Sequence, residues 1–293
     1  MIPTKVGYDS TLFIMPLHQA VILAIVQGFT EFLPVSSSAH LALAPWLLGW
    51  KDQGLTFDIA LHFGTLAAVV IYFFRDWMQI IGQAFGLSRN WTNDAGAGLS
   101  ATPRLLWTLA AATLPIGVLG LLFKDDAETT FRSPWVIGTM LILVGLLMLW
   151  AESVGKRTKG IGQITFADAM TVGFAQALAI VPGTSRSGIT ITAGLFRDIE
   201  RESAAHFSFL LSTPAIAAAA LLAFKDLHDA GGVPQAEIAS FVAGIIVSAL
   251  TGCFVIGFLL RFLRDHSLRF FVAYRIIFGI LVLALAFFRQ QAG

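Results

Sequence analysis

Six uninterrupted apolar runs decide the class of this chain. They cover approximately Phe57 to Phe74, Leu105 to Phe123, Pro134 to Trp150, Ala205 to Phe224, Ile238 to Leu260 and Phe270 to Phe288. Each is long enough to supply the roughly 17 to 25 helical residues that cross a bilayer core. Of the 293 residues, 56% are hydrophobic and only 13% charged, where soluble domains carry roughly 25% charged residues. An all-α integral membrane protein is expected, because in lipid a helix satisfies its backbone groups within its own segment. The net charge of +1 says little by itself, since the distribution of charge along a membrane protein matters more than the total. Nothing in that distribution supports nucleic-acid binding. Cys253 is the only cysteine, which excludes an intramolecular disulfide and a thiolate zinc site and reads as a packing residue. Around Lys5 there is neither a long apolar core nor a small-residue cleavage site, so the first residues read as a short interfacial segment.

Two further apolar stretches, His18 to Trp50 and Thr165 to Phe196, are interrupted by Pro34 and by Pro182 with Gly183. Proline removes a backbone donor and disfavours helix in the residue before it, so each stretch is either one kinked helix or two half-helices. Lys and Arg gather around Arg75, Arg89 and Arg104, around Lys156, Arg157 and Lys159, and around Arg261, Arg264, Arg269 and Arg275. The positive-inside rule places these three connections in the cytoplasm. The connections Lys124 to Arg132 and Lys225 to Glu237 carry less positive charge and are placed outside. Counting crossings between these loops requires the Pro182 stretch to enter and leave on the cytoplasmic face. By symmetry the Pro34 stretch enters and leaves on the outer face, which puts both termini outside. The expected fold is an inverted-topology repeat of six transmembrane helices plus two re-entrant helical hairpins. Residues 1–152 form the first repeat with a hairpin at 18–50, and residues 153–293 the second with a hairpin at 165–204. Internal similarity pairs Pro34 with Pro182 and Ser37 with Ser185, and at another spacing His62 with His206. Inverted repeats with broken helices place a binding site near the membrane midplane, so the two breaks should face each other.

The polar residues sit at these breaks. Gln27 and Glu31 are four apart and share a helix face, offering an oxygen-rich half-site for a hard cation such as Mg²⁺ or Ca²⁺. Glu31 can instead pair with Arg186 and simply tie the halves together. Ser36, Ser37 and Ser38 lie where a helix restarts after Pro34, and Ser185 and Ser187 lie at the matching turn. Serines there are ordinary caps, but a helix N-terminus also favours phosphate, and the fork of Arg186 suits phosphate oxygens. Thr190 stands one turn further and can add a hydroxyl. His40 can carry a proton or act as a nucleophile, while His62 and His206 read as structural. A diphosphate ester carries roughly −3 near neutral pH. With one carboxylate and one guanidinium beside it, the site is still strongly negative, which argues for a divalent cation alongside the anion.

At these motifs the sequence resembles the undecaprenyl-diphosphatase family, also called the bacitracin-resistance proteins. The matching pieces are Gln27 to Glu31, Phe32 to His40, Pro182 to Thr190 and Ala204 to Leu211. Gln27 stands where the family has Glu or Gln, which shifts weight onto Glu31, and Ala39 replaces a Gly common in the family. The resemblance implies hydrolysis of undecaprenyl diphosphate to undecaprenyl phosphate and inorganic phosphate in the bacterial plasma membrane. That reaction recycles the lipid carrier of cell-wall synthesis, with bacitracin resistance as a consequence. By the resemblance, Glu31, Ser37, His40 and Arg186 are catalytic, with Ser37 as first choice of nucleophile and His40 as its base or its rival. Gln27 and Glu31 would hold Mg²⁺ or Ca²⁺, and Ser36, Ser38, Ser185, Arg186, Ser187 and Thr190 would bind phosphate. The expected partners are an isoprenyl diphosphate lipid and the bilayer, with a homodimer left open and no nucleic acid, and the site is expected to open outward. The alternative is a lipid-phosphate flippase or ion-coupled transporter, which shares inverted-repeat architecture. A likeness to type 2 lipid phosphatases is confined to Val35 to His40.

Overall fold

The computed structural model describes residues 15–87, 104–123, 126, 130–229 and 232–292. Among them the protein is all-α, with a single isolated bridge between Lys159 and Ile199. The helices are α1 (Leu17–Phe32), α2 (Ser37–Leu48), α3 (Gly54–Tyr72), α4 (Phe74–Ala84), α5 (Leu105–Leu122), α6 (Pro134–Val154), α7 (Phe166–Ala177), α8 (Arg186–Phe196), α9 (Arg201–Asp229), α10 (Ile238–Asp265) and α11 (Arg269–Ala292). Among the described residues five helices are long and apolar enough to cross a membrane, and a sixth if α3 and α4, bent by 72° at Phe73, count as one span. These are the six apolar runs of the sequence. The expected interfacial segment around Lys5 lies outside the described residues, as do Arg89, Lys124, Asp125 and Glu128.

Packing follows a repeated plan. Helix α1 lies along α10 and α7 lies along α5, while α3 meets α9 and α6 meets α11. Close approach needs small residues: a Cβ on Gly28 of α1 would fall 2.6 Å from Thr251 Cβ of α10, and one on Gly173 of α7 would overlap the Ala112 backbone of α5. The main core joins Phe32, Phe209, Leu210, Val255 and Leu259, with Phe32 edge-on to Phe209 at 5.3 Å. The apolar outer surface is the expected lipid-facing side, where helices associate by van der Waals packing of small residues rather than by hydrophobic exclusion from water.

The basic loop between α6 and α7 is tied down by ion pairs. Glu152 receives Arg157 at 2.9 Å and a short bond from Arg201, and Lys159 and Arg197 reach Asp168 at 3.1 and 2.7 Å. Asp168 also forms a capping box with Thr165 at the start of α7. Burial alone would raise its carboxyl, but the Thr165 amide and hydroxyl, Arg197 and Lys159 outweigh that and hold it at about 2. One charge was misplaced by the sequence reading. Arg275, expected in a basic loop, is completely buried within α11.

Candidate active site

Both helix breaks are built on the same backbone turn. The residue before α2 is Ser36, at φ 77 and ψ 93, and the residue before α8 is Ser185, at φ 66 and ψ 109. Ser36 Oγ accepts from the Ala39 amide at 3.4 Å, and Ser185 Oγ accepts from the Gly188 amide at 3.1 Å. Each hydroxyl also pairs with the serine two residues on, Ser36 with Ser38 at 3.2 Å and Ser185 with Ser187 at 3.3 Å. Positive φ outside glycine costs about 1–3 kcal/mol, and the cap returns about 1 kcal/mol of it. This turn corrects the internal register by one residue. Ser36, not Ser37, corresponds to Ser185, because one more residue separates Pro182 from its capping serine than separates Pro34 from Ser36. In the corrected register Ser37 matches Arg186 and Gln27 matches Gln176.

Arg275 holds the two breaks together. Its Nη1 donates to the Pro34 carbonyl at 3.2 Å, its Nη2 to the Gly183 and Thr184 carbonyls at 2.8 and 3.0 Å, and its Nε to the Leu141 carbonyl at 3.2 Å. The irregular backbone around the prolines leaves carbonyls without helical partners, and a buried guanidinium is matched to several of them at once. Gly183 is needed here, since its φ is 92 and a Cβ would fall 2.5 Å from the Ile137 carbonyl oxygen.

The carboxylate of Glu31 is where the halves meet. Arg186 Nη2 donates to Oε1 at 2.5 Å, while Ser37 Oγ and Gln27 Nε2 donate to Oε2 at 2.6 and 3.0 Å. His62 Nε2 lies 3.5 Å from the same oxygen. The pairing of Glu31 with Arg186 is therefore real, but it does not use up the site. Arg186 Nη1 and Gln27 Oε1 are buried with no hydrogen-bond partner among the described residues. A charged donor left unpaired in an apolar interior costs several kcal/mol unless something fills the space beside it.

A cavity of about 280 Å³ opens beside Arg186. Its polar wall is Glu31, Ser37, Ser38, His62, Ser185 and Arg186, and its apolar wall is Ile59, Ile116, Ala179, Ala215, Ile216, Ala219 and Ala220. The other expected site residues lie behind this wall. Ser36 is spent on its cap, and Ser187 Oγ donates to the Leu33 carbonyl at 3.0 Å. Thr190 Oγ1 bonds the Arg186 carbonyl at 2.7 Å and Ser208 at 2.6 Å. His40 has both nitrogens engaged, Nδ1 with the Ser36 carbonyl at 2.7 Å and Nε2 with the Tyr274 hydroxyl at 2.6 Å. A carbonyl only accepts, so Nδ1 carries the proton and Nε2 accepts from Tyr274. Stacked against Phe278 at 4.9 Å, this ring has no free lone pair with which to attack phosphorus.

His62, read from sequence as structural, is the imidazole that faces the cavity. No signal in the sequence marks this, because the group that fixes its ring is the Asp58 backbone carbonyl, and every helical residue has a carbonyl four positions back. For a divalent cation the protein offers one carboxylate and the unpartnered carboxamide oxygen of Gln27. Among the described residues no three His, Cys, Asp or Glu side chains group closely enough to hold an ion unaided. The donor set fits a hard cation that takes most of its oxygens from a diphosphate and water.

Known proteins resemble this chain over most of its length. The family described as bacitracin resistance protein BacA matches residues 20–281. The undecaprenyl-diphosphatase of Pelotomaculum thermopropionicum is 46% identical over 276 residues, covering 94% of this chain and 99% of the relative. That of Moorella thermoacetica is 46% identical over 277 residues, covering 94% and 100%, and that of Desulforudis audaxviator 45% identical over 271 residues, covering 92% and 98%. With the match running through both breaks and nearly the whole chain, this protein belongs to the bacitracin resistance protein BacA family.

Proposed function

We propose that this multi-pass membrane protein hydrolyses undecaprenyl diphosphate to undecaprenyl phosphate and inorganic phosphate, recycling the lipid carrier. The observation that carries this reading is the buried Nη1 of Arg186, without a partner among the described residues, beside the carboxylate and serines of the other half in a cavity whose opposite wall is apolar. A lipid diphosphate explains both the donor and the greasy wall. The names of the relatives supply the substrate.

In this reading Arg186 binds the terminal phosphoryl group, where its donors gain most as charge shifts in the transition state. Ser38 and Ser185 add hydroxyls to the same group. Ser37 is the nucleophile: its Oγ–H already points at Glu31 Oε2, so attack on phosphorus passes the proton to that carboxylate, and from it to the leaving lipid phosphate, as the bridging P–O bond breaks. His40 instead ties the Ser36 carbonyl to Tyr274 of α11. Gln27 and Glu31 would hold Mg²⁺ or Ca²⁺, which when bound neutralises part of the diphosphate charge. The transporter alternative has no observation in its favour.

The finer topology belongs to the same proposal. Residues 1–152 and 153–293 are inverted repeats, each with a re-entrant hairpin, in a bacterial plasma membrane with the termini and the site opening outward. The matched turns at Ser36 and Ser185 and the matched packing of α1 on α10 and α7 on α5 support it. In a Cys253→Ala background, a cysteine at Lys51 is expected to label from outside intact cells, and one at Lys156 only after permeabilisation. The reverse pattern would overturn the orientation.

The activity is tested by phosphate release from undecaprenyl diphosphate by detergent-solubilised protein. Release is expected from the wild type and is expected to stop with a chelator and recover with Mg²⁺ or Ca²⁺. Release that ignores the chelator removes the metal, and no release at all removes the function.

A further inference from the structure

We propose that His62 positions the water consumed in hydrolysis, an inference that rests on the diphosphatase reading. His62 Nδ1 lies 2.7 Å from the Asp58 carbonyl, one turn back on α3. That carbonyl can only accept, so Nδ1 carries a proton, and in the neutral imidazole Nε2 presents a lone pair. The turn that carries Asp58 is itself held, with Gln53 donating to the Asp58 carboxylate at 2.6 Å and Arg132 at 3.4 Å. The ring is therefore anchored from behind, and its 30% exposure is toward the cavity it lines.

Nε2 faces Glu31 Oε2 at 3.5 Å. With the ring neutral both atoms accept, Oε2 alongside its bonds from Ser37 and Gln27, and the separation exceeds that of a good direct hydrogen bond. Two acceptors converging from α3 and α1 on one point call for a donor with two protons. A water placed there gives one hydrogen to each and turns its oxygen toward the phosphoryl group bound at Arg186. The same placement serves whether water attacks the diphosphate directly or cleaves a phosphoserine formed at Ser37. In either case the water oxygen bonds to phosphorus, its proton passes to Glu31 Oε2, and the bond to the leaving oxygen, the bridging oxygen or Ser37 Oγ, breaks as that oxygen takes the proton up. His62 acts here as a positioning residue for that water, with no part in binding the lipid.

Methanol separates this role from a structural one. It is a phosphoryl acceptor with a single O–H, so it can satisfy only one of the two acceptors, and the wild type should discriminate against it in favour of water. Phosphate and methyl phosphate are measured from undecaprenyl diphosphate with methanol added, for wild type, His62→Leu and His62→Gln. His62→Leu is expected to lower kcat by about 10- to 100-fold with KM little changed, and to raise the ratio of methyl phosphate to phosphate several-fold. His62→Gln returns an acceptor oxygen and is expected to recover most of kcat and the wild-type ratio. The inference is overturned if His62→Leu matches wild type in both kcat and ratio, or if both variants lose activity with the ratio unmoved. If the wild type releases neither product, the diphosphatase reading fails instead.

Discussion

The breaks at Ser36 and Ser185 share a backbone and differ in chemistry. Each ends a short helix at a proline, sets a capping serine at positive φ, and restarts a helix at the next residue. That next residue is Ser37 in the first half and Arg186 in the second, and both donate to Glu31. Four residues beyond Gln27 stands Glu31, whereas four beyond its counterpart Gln176 stands Ile180. The comparison teaches that one backbone turn can carry opposite chemistry: a carboxylate on one side only, and a guanidinium on the other.

The strongest way to break that difference is to erase it. Arg186→Ser makes the second break chemically like the first, and phosphate release is expected to fall by about 100- to 1,000-fold. Retained release would mean that Arg186 is a tie between halves and nothing more. Arg275→Met acts on both breaks together, because it leaves the Pro34, Gly183 and Thr184 carbonyls without their shared donor. A loss of about 3 kcal/mol or more is expected in unfolding from detergent, and a variant as stable as wild type would contradict the keystone role.

A smaller effect separates the two halves. Helix α7 starts with the Thr165 and Asp168 capping box, whereas α1 starts at Pro16 with no side-chain cap. Because Asp168 is held at about 2, below its ordinary value of 3.8, its stabilisation is present above about pH 4 and is lost as pH falls toward 2. The contribution is on the order of 2 kcal/mol, and Asp168→Asn is expected to remove that pH dependence. If the acid limb of stability is the same in the variant, the cluster does not carry it. The smallest effect tests the shared turn itself. Ser36→Ala and Ser185→Ala should each cost about 1 kcal/mol, and the glycine variants only a few tenths, since glycine tolerates positive φ. Unequal alanine costs would argue against one common turn.

Much of this was legible in the sequence. The six apolar runs became helices where expected, because length and hydropathy alone decide such segments. Glu31, Ser37, Ser38, Ser185 and Arg186 were found because polar side chains in an apolar chain stand out, and they do share a cavity. What was not legible depends on side-chain direction and on the exact start of a helix. The prolines suggested a register that the capping serines shift by one residue. His40 and Thr190 stood in the motif but turn to backbone and to Tyr274 or Ser208. His62 stood outside it and turns inward. Arg275 reads as a loop charge because only the fold brings five carbonyls to one point.

The central claim is that Glu31 and Arg186 act as one site on one diphosphate. A double-mutant cycle with Glu31→Gln, Arg186→Lys and the double variant, read as kcat/KM for phosphate release from undecaprenyl diphosphate, tests it most directly. The expected result is strong coupling, with the double variant scarcely worse than the more damaged single one. Losses that simply multiply would show that the two side chains act independently, and would contradict the account.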